Sequence, residues 1–281
     1  MIKSSIEQFE LQITVMVVQP VVVPAEVARF RNSLFRHSMK TRIIILTKFP
    51  EAGKVKSRLA KEVGNNKAAE IYKTILLDNW QIAKDTGHEV CIEFSPLDAK
   101  KKFQTLFGKN VILNPQIGTD IGWRMANAFA RCLQQQFDAA ILIGGDAPDL
   151  FAELLNEALV SLLNHDIVLG PTHDGGYYLI GFTKDSFNPH YFQNIDWSSP
   201  NVFEQTAEII RESNNKLYLI EKRFDLDTFN DVKEFLGSSK ESSMITDKIR
   251  KILENEDFDE ENSFNVVSDN TGSGKRSERD L

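Results

Sequence analysis

The stretch TRIIILTKFPEAGKVKSRLA, residues 41–60, begins the pattern that decides the fold class. The β-branched run at 42–47 predicts a strand, which Pro50 and Gly53 then end in a polar loop. Apolar side chains at helical spacing follow over 66–85. This alternation of short β-branched runs with helical stretches continues to about residue 236. It indicates βαβ units and a largely parallel, buried sheet.

Seven strands are predicted in a single sheet, at 42–47, 89–94, 111–113, 139–143, 167–169, 177–182 and 217–220. Further helices are predicted at 122–137, 151–163 and 202–212. Helices that connect parallel strands cover both faces of their sheet. The sequence therefore predicts an α/β fold, a single three-layer α/β/α domain with a mostly parallel central sheet.

Both ends of the chain lie outside this pattern. Met39 stands two residues before the first strand, so residues 1–38 are predicted to be an N-terminal extension with little order. Residues 237–253 can hold one more amphipathic helix, and the acidic, polar remainder to residue 281 predicts a disordered tail. The folded domain between these two ends is predicted to span residues 39–236.

The composition excludes several classes of protein. The 281 residues are 42% apolar and 26% charged, as in an average soluble globular protein. The net charge is −7, and most of it lies in the last thirty residues, so the nearly neutral body argues against nucleic acid as the main partner. No apolar run reaches the roughly 18 residues of a membrane helix. Cys91 and Cys132 lack metal-ligand spacing, which favours a reducing, cytoplasmic location.

The loop after the first strand has the composition of a phosphate site. Ligands of an open parallel sheet bind beyond the carboxyl ends of its strands. Lys48, Gly53, Lys54, Lys56 and Arg58 lie in this loop, and cations together with backbone amides bind nucleotide phosphates. The loop matches neither GxxxxGK[ST] nor GxGxxG. A solvated basic turn is the alternative interpretation.

An acid follows the fourth predicted strand. IGGDAPDL, residues 143–150, places Asp146 behind two glycines that allow a ligand to approach the backbone closely. A carboxylate at that position favours a site for Mg²⁺ or Mn²⁺ shared with substrate phosphates. A structural turn acid is the alternative for Asp146. Asp149 is expected to cap the helix that starts near Phe151.

Two further acids follow the last predicted strand. FDLDTFNDV, residues 224–232, places Asp225 and Asp227 on one side of the chain if this segment is extended. Both can then meet Asp146 and complete a metal shell. Asp227 and Thr228 are also candidates for capping the helix that follows, and capping is compatible with ligation by a neighbour.

Two glycines beside an acid form a third candidate element. GPTHDGGYYLIGF, residues 170–182, suggests that Gly175 and Gly176 bring the backbone against a ligand, with Asp174 directed toward it. A tight hairpin turn is the alternative, because Asp-Gly is a common hairpin signal. His173 is a candidate base, although a loop histidine is more often a solvated residue.

Six motifs, taken in order, resemble one bacterial family. They are KFPEAGKVKSRLA, QIGTDIGWRM, IGGDAPDL, GPTHDGGYYLIGF, DWSSPNVFEQT and FDLDTFNDV, and they span about residues 40–236. Together they closely resemble the radical-SAM/selenodomain-associated transferases, some of which are assigned as arsenosugar-biosynthesis glycosyltransferases. That family resembles a branch of the nucleotide-diphospho-sugar transferases, with the GT-A type fold. The first and last motifs are more distantly similar to 2-phospholactate guanylyltransferase and molybdenum cofactor guanylyltransferase.

The resemblance implies a role for each matching residue. The residues that would hold the nucleotide are Lys48, Gly53, Lys56 and Arg58 at the phosphates, with Arg124 as a further candidate. The residues that would bind the metal are Asp146, Asp225 and Asp227. The residues that would line the acceptor or sugar side are Asp174, Gly175, Gly176 and Tyr177.

These features lead to one expected activity and two alternatives. The first is a cytoplasmic, metal-dependent glycosyltransferase that moves a sugar from a nucleoside diphosphate to a small acceptor. The cation at Asp146 and the basic loop would stabilise the leaving diphosphate, and Asp174 is the candidate base for the acceptor proton. The second is a nucleotidyltransferase that uses an NTP and a small phosphorylated acceptor, since the same residues serve both reactions. A non-catalytic nucleotide-binding module is the third interpretation.

Overall fold

Seven strands in the described residues form one sheet. The computed structural model describes residues 39–238 and 243–255, so the predicted extension at 1–38 and the predicted tail beyond 255 lie outside them. The strands are β1 Thr41–Lys48, β2 Glu89–Ser95, β3 Ile112–Pro115, β4 Ala139–Gly144, β5 Ile167–Pro171, β6 Tyr177–Thr183 and β7 Leu217–Leu219. All seven predicted strands are confirmed, with ends within two residues of the predicted ones.

The strand order β3-β2-β1-β4-β6-β5-β7 makes the sheet mostly parallel. β1 pairs in parallel with β2 and β4, β2 with β3, and β5 with β7. β6 runs antiparallel between β4 and β5. The carboxyl ends of the other six strands and the turn between β5 and β6 therefore lie at one edge of the sheet, the carboxyl edge.

Eight α-helices in the described residues connect the strands or follow them. They are α1 Ser57–Val63, α2 Asn65–Asp85, α3 Lys100–Phe107, α4 Ile121–Gln134, α5 Ala152–Ser161, α6 Val202–Glu212, α7 Phe229–Ser238 and α8 Met244–Glu254. The predictions of α2, α4, α5 and α6 are confirmed. α1 and α3 have no predicted counterpart because each buries a single side chain, Leu59 or Phe103, and shows no apolar stripe. None of these eight helices is both long and apolar enough to cross a membrane.

Helices pack on both faces of the sheet. Ile44 of β1 lies in an apolar cluster with Phe129 of α4 and Ile210 of α6. Side chains alternate along a strand, so the fully buried neighbours Ile43 and Ile45 face the other layer. On that side α2 packs against β1 and β2. The predicted three-layer α/β/α architecture is therefore confirmed.

The C-terminal helices extend the fold beyond residue 236. α7 ends at Ser238, so the predicted domain boundary lies inside a helix. α8 begins with a capping box between Ser243 and Thr246. It buries Ile249 and Ile252 in an apolar cluster with residues of α1, α2 and α7. This packing joins α8 to the domain.

Candidate active site

Three aspartates and one lysine meet at the carboxyl edge of the sheet. Asp146 lies in the loop after β4, and Asp225 and Asp227 lie in the extended segment after β7. Lys56, directly before α1, donates hydrogen bonds from Nζ to all three carboxylates. The distances are 2.8 Å to Asp146 Oδ2, 3.2 Å to Asp225 Oδ1 and 2.6 Å to Asp227 Oδ1. Asp146, Asp225 and Asp227 are named the acid cluster below.

Alternation along the extended segment after β7 brings two of these acids to the same place. Phe224 and Leu226 pack into the apolar cluster formed with α1, α2, α7 and α8. Asp225 and Asp227 take the other side, as expected of an extended backbone, and both contact Lys56. Because they are two residues apart in an extended segment, the carboxylates of Asp225 and Asp227 both contact the Lys56 ammonium.

Thr228 caps the helix that follows this segment. Its Oγ1 accepts a hydrogen bond from Asp231 N at 3.2 Å, and its own N donates to Asp231 Oδ2 at 2.6 Å. Of the two cap candidates, Thr228 makes the bond, and the side chain of Asp227 is directed to Lys56 instead.

Lys56 enters the acid cluster with a strained backbone. Its φ of 47° and ψ of 47° lie in the left-handed region, which costs a residue other than glycine about 1–3 kcal/mol. Its side chain is 5% exposed to solvent, whereas the side chains of the three aspartates are between 24% and 42% exposed. The ammonium is therefore enclosed, while the carboxylates remain open to a ligand.

Burial and mutual charge set the pKa values of the cluster. Burial acts to lower the pKa of Lys56, but the three aspartates raise it well above its ordinary value, so the ammonium stays charged. Burial and the nearby Asp146 charge raise the pKa of Asp225 well above its ordinary value. Burial acts to raise the pKa of Asp227, but Lys56 and Arg58 lower it overall. The buried ammonium and the three carboxylates therefore stabilise one another's charges.

The acid cluster fits a divalent cation by the chemistry of its donors. One oxygen from each aspartate can be chosen so that all three lie within 4.8 Å of one another. Carboxylate oxygens are the ligands that Mg²⁺ and Mn²⁺ prefer. These oxygens already surround one cation, the Lys56 ammonium. A divalent cation and Lys56 would use the same oxygens, so each would exclude the other.

The contacts of Lys56 are with carboxylates, and its predicted role at the phosphates stays a prediction. The sequence places it among the residues that hold nucleotide phosphates, whereas its ammonium lies inside the acid cluster. The physical reason is the charge of its surroundings, because the carboxylates of three separate sequence positions lie within hydrogen-bond distance of its Nζ. In this arrangement its charge balances protein carboxylates.

The other predicted phosphate-binding residues form an accessible basic loop beside the cluster. Lys48 and Lys54 are exposed. Arg58 is 70% exposed, and its Nη1 lies 4.0 Å from Asp227 Oδ2 at the rim of the cluster. Gly53 has a φ of 74°, a value that favours glycine and makes the turn of this loop. The loop can therefore offer three positive side chains to an anion.

Tyr72 is a site residue for which the sequence has no motif. Its hydroxyl lies 2.6 Å from Thr47 Oγ1 and accepts from Lys48 N at 3.2 Å, which fixes the end of β1. Its ring centroid lies 5.9 Å from Lys56 Nζ. Burial, together with the charge of Asp146, raises its pKa to about 12. In the sequence Tyr72 belongs to the apolar stripe of α2, and the hydroxyl is the one sign of a further role.

Asp174 closes the turn between β5 and β6. Its Oδ1 accepts hydrogen bonds from Thr172 Oγ1 and, at 3.1 Å, from Gly176 N. Within residues 39–238 and 243–255, no hydrogen bond joins Asp174 to the acid cluster. Asp174 therefore stabilises the turn that the Asp-Gly pair suggests. Its other carboxylate oxygen, Oδ2, makes no hydrogen bond to the described residues.

Two glycines that are predicted to admit a ligand are required by packing within the chain. A Cβ on Gly145 would lie 2.8 Å from Thr47 Oγ1. A Cβ on Gly175, whose φ is 92°, would lie 1.8 Å from the carbonyl oxygen of Pro200. Packing within the chain is thus one reason for glycine at these two positions, and the predicted approach of a ligand to them stays a prediction.

Tyr177 and Arg124 make contacts within the protein. Tyr177, predicted on the acceptor side, packs against the core, and its hydroxyl lies 4.0 Å from Met125 Sδ. Alternate residues of a strand face the core, which explains this placement at the start of β6. Arg124, predicted on the nucleotide side, donates from Nε to Gly118 O at 3.3 Å and holds the loop before α4. The described contacts bring neither residue to the acid cluster.

Asp149 does not cap α5 as predicted. The N-cap residue of α5 is Phe151, without a side-chain cap bond. Asp149 Oδ2 instead pairs with Nη1 of Arg223 at 3.5 Å. The prediction is wrong because a full positive charge, 74 residues further along the chain, reaches this carboxylate.

Comparison with known proteins finds a relative of known structure that is similar in both sequence and fold. A family model described as an uncharacterized protein conserved in bacteria (DUF2064) matches residues 76–199. The crystal structure of a proposed nucleotide-diphospho-sugar transferase from Desulfovibrio desulfuricans G20 is 33% identical in sequence, with a TM-score of 0.73. The match covers 76% of this chain and 97% of that chain. No curated protein sequence matches the chain.

More distant structures are far less similar. A cytidylyltransferase from Leptospira borgpetersenii serovar Hardjo-bovis is 16% identical, with a TM-score of 0.45 over 78% of this chain and 96% of that chain. Rv0371c from Mycobacterium tuberculosis H37Rv, in complex with manganese, is 15% identical, with a TM-score of 0.46 over 71% of this chain and 99% of that chain.

Proposed function

Since the chain belongs to the nucleotide-diphospho-sugar transferase superfamily, we propose that it is a metal-dependent glycosyltransferase that moves a sugar from a nucleoside diphosphate to a small acceptor. The observation that carries this proposal is the acid cluster around Lys56, at the carboxyl edge and beside the exposed basic loop. A cation beside a phosphate-binding loop can stabilise the charge that develops on a leaving diphosphate.

The acid cluster is the proposed holder of Mg²⁺ or Mn²⁺. Asp146, Asp225 and Asp227 supply the carboxylate oxygens, and a cation bound there would stabilise the negative charge that develops on the leaving diphosphate. Lys56 competes for the same oxygens. Once displaced from them, its ammonium is free to bind phosphate, which is the role that the resemblance implies.

The basic loop is the proposed phosphate-binding element. Lys48, Lys54 and Arg58 are exposed beside the cluster, and charge-assisted hydrogen bonds to phosphate are among the strongest polar contacts in proteins. Gly53 shapes the turn that presents them. Arg124 lies in the first turn of α4, bonded to Gly118 O of the loop that follows β3, and is proposed as a further contact on the nucleotide side.

The turn between β5 and β6 is the proposed acceptor side. Asp174 keeps Oδ2 free of hydrogen bonds to the described residues, and we propose that this oxygen takes the proton of the acceptor hydroxyl. Gly176 and Gly175 hold the turn in place beside it. Cys91 and Cys132 are free, buried thiols, which agrees with the proposed cytoplasmic location.

Nucleotidyl transfer is the second candidate reaction. Lys48, Lys54 and Arg58, with Lys56 as a fourth cation once it is displaced, supply more positive charge than a diphosphate needs. A nucleoside triphosphate would use that charge, with pyrophosphate as the leaving group. The acid cluster would hold the cation in the same way in both reactions.

Product analysis separates the two reactions. The chain is first screened by thermal shift with NDP-sugars and NTPs in the presence of Mn²⁺, since a ligand at 100 times its dissociation constant stabilises by about 2.7 kcal/mol. A glycosyltransferase is expected to release NDP slowly from its preferred NDP-sugar even without acceptor, because water can replace the acceptor hydroxyl. Pyrophosphate from an NTP, with no NDP from any sugar nucleotide, would favour nucleotidyl transfer instead.

Asp174→Asn is expected to lower kcat by about 100-fold or more while the donor dissociation constant stays nearly unchanged. The amide oxygen can still accept from Thr172 and Gly176, so the turn persists while the base is lost. Thr172→Val is the matched control, because it removes a turn hydrogen bond and keeps the carboxylate. Equal losses of turnover in both variants, or a parallel loss of donor binding in Asp174→Asn, would assign Asp174 to the turn alone.

A further inference from the structure

We propose that Arg223 and Asp149 form a clamp that positions the acid cluster, which makes Arg223 a positioning residue of this site. The inference rests on the proposed function of that cluster. Arg223 lies two residues before Asp225, and Asp149 lies three residues after Asp146. The clamp therefore joins the two segments of chain, after β4 and after β7, from which the three carboxylates come.

The side chain of Arg223 reaches across from one segment to the other. Its Nη1 lies 3.5 Å from Asp149 Oδ2, and its Nη2 lies 2.5 Å from Glu221 Oε2. Its guanidinium carbon lies 4.9 Å from the ring centroid of Phe151, within the range of a cation–π contact. The segment after β4 thus contacts the guanidinium at two residues, Asp149 and Phe151.

The backbone of Arg223 contacts a third segment. Arg223 N donates to Pro171 O at 3.1 Å, and His173 N donates to Arg223 O at 3.2 Å. These bonds form a parallel bridge at Thr172, next to the turn that holds Asp174. One residue therefore connects the segments that carry Asp146, the pair Asp225 and Asp227, and the proposed base.

Stability alone does not account for this ion pair. The side chains of Arg223 and Asp149 are 14% and 22% exposed, and removing two charges from water costs about as much as a partly buried pair returns. Arg223 Nε is buried without a hydrogen-bond partner in the described residues, a further cost. Apolar side chains of similar volume often stabilise a folded protein as much as a buried ion pair does, or more. A fixed distance between the two segments is what the ion pair adds.

A cation site depends on such a fixed distance. Residues that hold the ligands of a metal in place commonly change metal affinity by about 10- to 100-fold when they are replaced. The hydrogen bonds of Lys56 also depend on the distance between the segments after β4 and after β7. Its Nζ donates to carboxylates of both segments over 2.6–3.2 Å. Loss of the clamp should therefore weaken both interactions without any direct contact between Arg223 and the cluster.

A double-mutant cycle on stability tests this coupling in the chain without metal. Lys56→Met and Arg223→Met are compared singly and together by denaturant unfolding. We expect the loss caused by Lys56→Met to shrink by about half or more in the Arg223→Met chain, because the carboxylates no longer hold Lys56 in the same place. The cycle of Lys56→Met with Asp185→Asn is the control and should be additive, because Asp185 is exposed and follows β6 at the opposite edge of the sheet. Additive losses for Arg223→Met would overturn the proposal.

Mn²⁺ binding provides a second measurement, made in the Lys56→Met chain so that no ammonium competes for the three carboxylates. Each variant named next is added to that chain. Titration of Mn²⁺ followed by electron paramagnetic resonance should show about 10- to 100-fold weaker binding to Arg223→Met and to Asp149→Asn. The double variant should bind no more weakly than the weaker single variant, since both remove one clamp. Asp185→Asn, the exposed control, should leave Mn²⁺ binding unchanged. Unchanged Mn²⁺ affinity in folded Arg223→Met would refute the clamp, and neither measurement requires that the chain transfer a sugar.

Discussion

Asp146→Asn is expected to reduce transfer by more than about 100-fold and to leave the fold intact. The amide is nearly the same size and can still accept the hydrogen bond that Asp146 Oδ2 accepts from Lys56 at 2.8 Å. It is a much weaker ligand for a hard cation, and the lost stabilisation of the leaving group accounts for the size of the effect. Steady-state kinetics with Mn²⁺, together with thermal unfolding, measure the two parts of this result.

Asp185→Asn is the control for this variant. Asp185 is an exposed carboxylate that follows β6, whose antiparallel direction places its end at the edge opposite the acid cluster. Its replacement changes the net charge by the same amount and should leave turnover unchanged. Near-normal activity of Asp146→Asn in the presence of Mn²⁺ would remove the metal role of this residue.

Lys56→Met is expected to destabilise the chain by about 3 kcal/mol in EDTA and to make Mn²⁺ strongly stabilising. Removing one partner of a buried ion pair commonly costs about 3–5 kcal/mol. The low end applies because the aspartates keep 24–42% of their side-chain exposure. Mn²⁺ should then bind without competition from the ammonium, so its stabilising effect should exceed that in the unchanged chain. Donor binding should weaken, because a phosphate-binding cation is lost.

Lys54→Met is the matched control for this charge. Lys54 lies two residues earlier in the same loop and is exposed, so its replacement should alter stability little in EDTA or in Mn²⁺. Chemical unfolding at fixed Mn²⁺ concentrations compares the variants. Equal stability of Lys56→Met and the unchanged chain in EDTA, or an equal gain from Mn²⁺, would show that Lys56 and the cation do not share the acid cluster.

Much of the fold follows from local patterns in the sequence. The run around Ile43–Ile45 is β-branched and apolar over several residues, and such a run has few alternatives to a buried strand. The short helices α1 and α3 escape prediction because Leu59 and Phe103 are the single side chains that they bury. α8 packs against the core through Ile249 and Ile252. Helix propensity predicts that a segment is helical, but it does not predict what the helix packs against.

The acids of the candidate site are also predictable, for a topological reason. Asp146 follows β4 and the pair Asp225 and Asp227 follows β7, and the carboxyl ends of parallel strands meet at one edge. Their partners are less predictable. Tyr72 lies within an apolar stripe, and its hydroxyl joins Thr47 through a contact 25 residues apart in the chain.

The sequence by itself determined the alternation of strands and helices, the edge at which ligands can bind, and the identity of the charged residues at that edge. These properties depend on periodicity and on residues close together in the chain. The tertiary structure alone decided which charges pair. Lys56 meets carboxylates 90, 169 and 171 residues away, and Asp149 meets Arg223 rather than a helix N-terminus. Electrostatic attraction selects partners by distance and burial in the folded chain, and neither quantity can be read from the order of the residues.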